Sequence, residues 1–384
     1  MVKSKPIIDA LPAKLLADFA ADLTQDDLPP WYKLAHPNLW WSAISGLQKA
    51  IRRGAIEVAV PTALMLYMAQ GKRLLRRLAV IAVEDVCFGN FPAVQVAVLY
   101  AQSGIPGNGV EVLHRLAGLV QSLAEGVKDR SACELLVAAS YDLNPGLAMK
   151  LAEKGPAENA KVYINAKADV TARVLAGRGM VGTLKVDGKP ICVADPVVAK
   201  AAVRKLVGDV GLLETVDACI GLGNELAGFG IALALLWDRV QRVHALAVRK
   251  NVLTPATMIG GNLSTAYDMH TTEGKRSLSL FAIANKPLRV ALRQRGYEPR
   301  DVLGNLLFMA EGSLVDQEFA YTFGDELDKL NQEAQCRKIG VDPADLPALL
   351  EMVKSGIPLL NVLREKVVKS FNYAVSKEKQ AALL

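Results

Sequence analysis

The residues best placed to do chemistry are Asp268-Met269-His270-Thr271-Thr272-Glu273-Gly274-Lys275, with Glu311 and Asp316 following in Glu311-Gly312-Ser313-Leu314-Val315-Asp316. Carboxylates and an imidazole this close could hold a divalent metal or act as general acid and base. The spacing argues against a formed site. Asp268 and His270 share a face only on a strand, whereas the surrounding sequence reads as a helix entered from a loop. The sequence therefore assigns Thr271 or Thr272 to capping that helix, and His270 to a hydrogen bond in a seam between domains. No catalytic residue, metal ligand or cofactor is assigned. The alternative is a metal-dependent hydrolase acting on nucleic acid or nucleotides through Asp268, His270 and Glu311. Nucleotide motifs are missing too. Gly71-Lys72, Gly188-Lys189 and Gly274-Lys275 lack both the hydroxyl residue that follows a P-loop lysine and the glycine that opens the loop. Gly221-Leu222-Gly223-Asn224-Glu225-Leu226-Ala227-Gly228 comes near a dinucleotide fingerprint but lacks its spacing, and no GxSxG occurs.

The second chemistry is phosphate binding. Between Ser42 and Val80 stand seven basic residues (Lys49, Arg52, Arg53, Lys72, Arg73, Arg76, Arg77) and one acid, Glu57, so this stretch alone matches the net charge of +6. On a helix Lys72, Arg73, Arg76 and Arg77 form two like-charge i,i+4 pairs, which cost a few tenths of a kcal/mol each unless an anion compensates. A second cluster holds Lys275, Arg276, Lys286, Arg289, Arg293, Arg295 and Arg300, diluted only by Glu298. We read Lys72, Arg73, Lys275, Arg276, Lys286, Arg289 and Arg293 as candidate DNA contacts, with a solvated face as the plain alternative. Neither cluster is interleaved with aromatics, so binding to the phosphate backbone without sequence readout is expected.

Lys49-Ala50-Ile51-Arg52-Arg53-Gly54, then Leu75-Arg76-Arg77-Leu78-Ala79-Val80-Ile81-Ala82-Val83-Glu84-Asp85-Val86, and more weakly Lys128-Asp129-Arg130-Ser131-Ala132 form an ordered series. The series resembles the helical C-terminal region of the replication-associated recombination protein A family of AAA+ ATPases (MgsA/WHIP type), over about residues 38–140 and without the ATPase domain. Val83 stands where that family usually has Ser, and Cys87 where it usually has Gly. The resemblance implies a clamp-loader-like helical domain that assembles into a dimer or tetramer, with Arg76, Arg77, Glu84 and Asp85 at the oligomer interface. These charges lie roughly 10–13 Å apart along one helix, so their pairing must cross between helices or between subunits. It further implies a non-enzymatic scaffold in DNA replication, repair or recombination, bound to DNA or to a replisome or AAA+ partner. A structural or virion component is the third reading.

The elements that must position these residues are helices. Of 384 residues 51% are apolar but only 6% aromatic, a mix that favours packed helices over sheets. The fold class expected is mainly α: an N-terminal arm at 1–37, the resembling helical domain at 38–155, a connector at 156–195 and a second helical domain at 196–384. The arm carries a helix at about Ala10 to Leu23. Helices are expected at about 42–53, 55–70, 72–87 and 92–103, punctuated by Gly54, Gly71 and Gly89 as left-handed caps. A further helix pair reaches about Ser140. An Asp-Gly turn predicts a small β-hairpin at 183–193. Helix is expected from Glu225 to Lys250, and two closing helices near 343–354 and 357–375. Five scattered cysteines, no apolar leader, and an uncharged run from Val86 to Val110 broken by Pro92 and Pro106 point to a cytoplasmic protein with no membrane contact. Purified protein is expected to turn over no ATP. Turnover above background that disappears on changing Lys72, Lys189 or Lys275 would refute this.

Overall fold

The computed structural model describes residues 37–141, 145–186, 188–240 and 247–381, so the arm's helix at Ala10 to Leu23 falls outside the described residues. The chain is mainly helical. It opens with α1 (Pro37–Arg52) and α2 (Ile56–Ile81), which pack together across a turn at Gly54, φ +65°. The break expected near Gly71 is a kink within α2, where Gln70 leaves helical geometry at φ −152°, ψ 60°. Beyond it Leu74, Leu75, Leu78 and Ala79 face the core while Lys72, Arg73 and Arg76 face out, the 3.6-residue period of an amphipathic helix.

A wide π turn (Ala82–Val86) and a 3₁₀ turn (Cys87–Asn90) then lead into α3 (Phe91–Ser103). After α4 (Gly109–Glu125) and α5 (Ser131–Tyr141) come the paired α6 (Pro145–Ile164) and α7 (Val170–Met180). The expected hairpin is present, as β1 (Lys185–Val186) paired antiparallel with β2 (Lys189–Pro190). Three helices follow: α8 (Pro196–Val203), α9 (Val210–Leu222) and α10 (Asn224–Val240).

Two expectations fail in the last third. Helix does not continue to Lys250: Ala247–Lys250 is a strand, β3, and after the small β4–β5 hairpin (Met258–Ile259, Asn262–Leu263) come α11 (Thr272–Ala284), α12 (Lys286–Gln294) and α13 (Pro299–Leu307). A second π turn (Phe308–Gly312) precedes β6 (Gln317–Ala320), which pairs antiparallel with β3. Arg249 lies directly opposite Glu318 and bonds it at 2.8 Å, a cross-strand pair that no local pattern announces. The chain closes with α14 (Thr322–Ile339) and α15 (Leu346–Ala381). The two closing helices are thus one, with Pro358 inside it.

Packing divides the chain differently from the expected boundaries. One core of buried side chains runs from Trp40 to Leu236 and takes in Leu263 and Leu327, because α6 and α7 pack on α8, α5 and α10, α9 packs on α3, and α14 packs on α5. A second core runs from Leu278 to Leu360. The connector assigned to 156–195 is therefore built into the first core through Tyr163, Val174 and Leu175, each buried. Two stretches, Ile56–Ser103 and Leu346–Phe371, are long and apolar enough to cross a membrane, yet 61% of the apolar part of the first is buried inside the fold.

Gly89 is not a left-handed cap. A Cβ there would lie 2.1 Å from the Val127 carbonyl oxygen, so the residue is set by close backbone approach. Gly89→Ala is expected to cost at least about 1–3 kcal/mol in urea denaturation. Gly118→Ala, in α4 with open space around it, should instead stabilise by up to about 1 kcal/mol. Equal effects at the two positions would show that the approach of Val127 is not the constraint.

Candidate nucleic-acid interface

The polar residues singled out in the sequence separate into a buried network and an open cleft, and α1 contributes to both. At its C-terminal end Arg52, 2% exposed, reaches both π turns. Its Nε donates to Asp85 Oδ1 at 2.8 Å, one terminal nitrogen to Glu84 Oε1 at 3.0 Å, and the other to the Gly312 carbonyl at 2.6 Å. Asp85 also accepts from Gln48 through Oδ2 at 2.9 Å, and Arg130 Nε sits 3.2 Å from the same Oδ1 that Arg52 reaches. Burial alone would raise the Asp85 carboxyl, but Arg52, Arg130 and these hydrogen bonds outweigh it and hold it low.

One turn earlier, Lys49 Nζ bonds Asp268 Oδ2 at 2.6 Å and Ser45 Oγ at 2.9 Å. Burial opposes ionisation of Asp268 too, and the Lys49 ammonium with His270 overcomes it, holding the carboxyl well below the usual range. His270, more than half exposed, sets its ring edge-on to Phe308 and hydrogen-bonds Asp268 at 3.2 Å. Thr271 caps α11 by accepting from Gly274 N at 3.1 Å, as expected. Glu311 is matched by the buried Arg364, and Glu273 accepts from Ser42 at 2.8 Å. The carboxylates that suggested a metal or an acid–base pair are therefore each engaged within the chain, and no group of three or more His, Cys, Asp or Glu converges among the described residues.

The interface expected from Arg76, Arg77, Glu84 and Asp85 is rearranged. Asp85 is fully buried, Glu84 largely so, and both pair with Arg52 inside one chain. Arg76 instead donates to the Leu222 carbonyl at the end of α9 at 2.7 Å, and Arg77 to Glu225 at 3.3 Å and Gln48 at 3.0 Å. The pairing does cross between helices, but through acceptors on other elements, most of them far away in sequence.

Arg73, Arg76 and Arg77 line an open cleft of about 1140 Å³ between α1, α2, α5, α7, the β1–β2 hairpin and α10. Arg178 and Lys185 line it as well, and Glu225 is the one acid on its walls among the described residues. Arg178 is fixed by donating to Ser140 and to the Thr183 carbonyl at 2.7 Å, while Lys185 is exposed. The cleft also contains the aromatic component missing from the linear clusters. The Arg73 guanidinium lies 4.6 Å from the ring centre of Trp40 and 5.5 Å from that of Trp41. Trp40 is buried and Trp41 is 50% exposed. Trp41, Arg178 and Lys185 escaped the sequence reading, although an exposed Trp beside a buried one at the start of an amphipathic helix was a usable signal.

The remaining candidates lie outside the cleft. Lys72 is an exposed residue of α2, and Lys275, Arg276, Lys286 and Arg293 are exposed on α11 and α12, with Arg289 donating to the Ile283 carbonyl at 3.0 Å. Compared with known proteins, the chain matches no family model, no curated protein and no solved structure. Fold and site together define a mainly helical protein with an arginine-walled cleft.

The network generates a pH signature. Asp85 and Asp268 both have depressed carboxyls, so their contribution is complete above the unfolded value of about 3.9 and is lost as pH falls through the folded values. Asp85→Asn should therefore cost about 3–5 kcal/mol at pH 7, with the gap to wild type narrowing below about pH 4. Urea midpoints across pH test this; a gap that is constant with pH would show that the charge on Asp85 is not what matters.

Proposed function

We propose that the protein is a non-enzymatic scaffold of DNA replication, repair or recombination that binds the DNA phosphate backbone in this cleft. One observation carries the reading: five cations from three separate elements (Arg73, Arg76, Arg77, Arg178, Lys185) line one concavity with a single acid, Glu225, among its described residues. A low-dielectric concavity walled by one sign of charge concentrates its field and draws in a polyanion. Guanidinium forks suit phosphate oxygens, and none of the five side chains is an amide that reads a base. The resemblance of residues 38–140 to the recombination protein A family supports the cellular setting. Assembly into a dimer or tetramer, and engagement of a replisome or AAA+ partner, belong to the same proposal, on a surface other than the buried Glu84 and Asp85. The cluster on α11 and α12 would extend the path of the strand.

The test is a salt titration of DNA binding. Log affinity should fall linearly with log salt, and Arg76→Gln with Lys185→Gln should weaken binding equally for all sequences, lowering the slope by about 0.7–0.9 for each phosphate no longer neutralised. Arg289→Gln with Arg293→Gln should have a smaller effect. A flat salt dependence, or binding confined to one base sequence, would rule the reading out.

A further inference from the structure

From the exposed aromatic ring in the cleft we infer the form of nucleic acid it takes: single-stranded DNA, with an unpaired base stacked on Trp41 while the arginines hold the flanking phosphates. This rests on the phosphate-binding reading above and specifies it.

Three features lead to it. The first is Trp41 itself. A large ring kept half in water beside a buried neighbour is a poor use of apolar surface unless something covers it, and among cations the natural cover is a flat π-face tied to a negative charge. Trp40 anchors the start of α1 in the core, and Arg73, which also bonds Gln70 at 2.9 Å, lies against both rings, so the indole is presented on a rigid support. Bases inside a duplex are stacked on each other and cannot reach such a ring; only unpaired bases can be turned out onto it.

The second is size. At about 1140 Å³ the cleft lies just above the ~300–1,000 Å³ that encloses a single small-molecule ligand. It has room for a short run of nucleotides.

The third is unused hydrogen-bonding capacity on the walls. Arg77 Nε and Thr183 Oγ1 are shielded from solvent and meet no partner among the described residues. Both belong to residues that line the cleft, on elements remote from each other in sequence, and a strand that spreads these walls would give Arg77 Nε an acceptor and Thr183 Oγ1 a partner.

Fluorescence anisotropy with end-labelled oligonucleotides separates the possibilities. Oligo-dT should bind at least about tenfold tighter than a duplex of equal length, and an abasic strand of equal charge should bind about as weakly as the duplex. Trp41→Ala should weaken oligo-dT binding about 5- to 150-fold, the range for losing one stacked base, and leave duplex and abasic strands unchanged. Trp41→Phe, which keeps a ring, should retain most of the affinity, so a folding defect in the Ala variant cannot imitate the result. If oligo-dT, duplex and abasic strands bind alike and respond equally to salt, and both Trp41 variants are silent, the stacking assignment is overturned while phosphate binding stands. If none of the three binds with a salt dependence, both readings fall together. Oligo-U binding more than about tenfold tighter than oligo-dT would overturn the assignment to DNA.

Discussion

The most deeply committed tie between the two halves of the chain is a guanidinium, that of Arg52, one of several polar contacts that join them. A buried cation without partners would cost several kcal/mol, and Arg52 meets this with two carboxylates from the first π turn and a carbonyl from the second. Each π turn supplies something a regular helix would not: adjacent acids that converge on one cation, and a carbonyl at a helix end left open to accept. The arrangement depends on the planar fork of arginine, because a lysine ammonium on the same stem could not span three acceptors in these directions. Lys49 repeats the logic one turn away with Asp268, so the last turn of α1 is a polar joint between the first core and the segment leading into the second.

The cleft and this joint are mechanically one object. Trp41 and Arg52 stand on the same helix, about 16 Å apart at 1.5 Å per residue. Arg77, on the cleft wall, donates to Gln48, which donates to Asp85, the carboxylate that receives Arg52. A wall assembled from several elements stays shaped only if those elements are fixed, and the hydrogen-bonded chain from Arg77 inward fixes two of them. Rigidity at the site therefore derives from the interior of the molecule and not from the exposed charges that define its surface.

What the sequence disclosed follows the range of the forces involved. Helices with a 3.6-residue apolar period were readable, as were the break at Gly54, the Asp-Gly hairpin and the Thr271 cap, because each is decided within a few residues. The strand Ala247–Lys250 was not, since it is created by Gln317–Ala320 some seventy residues later. The roles of Glu84 and Asp85 were inverted for the same reason. Along the sequence they read as partners of Arg76 and Arg77 across helices or subunits, and the resemblance places them at an interface, whereas Arg52 reaches both and Arg130 reaches Asp85 from other elements. The basic run on α2 was visible, but only folding sets Arg73 against the rings of Trp40 and Trp41.

The joint at Arg52 also imposes a timetable on synthesis. Arg52 and Gly312 are 260 residues apart and Lys49 and Asp268 are 219 apart. At ribosomal speeds of roughly 5–20 residues per second, the helices up to Leu236 have about 2–15 seconds to pack before these late acceptors follow them out of the exit tunnel. Throughout that interval the Lys49 ammonium and one Arg52 nitrogen must remain hydrated, because Asp268 and the Gly312 carbonyl that receive them have not yet emerged. The polar end of α1 is thus completed only by residues 268–312, so in a chain made from its N-terminus that face is the part of the joint that loses its water late.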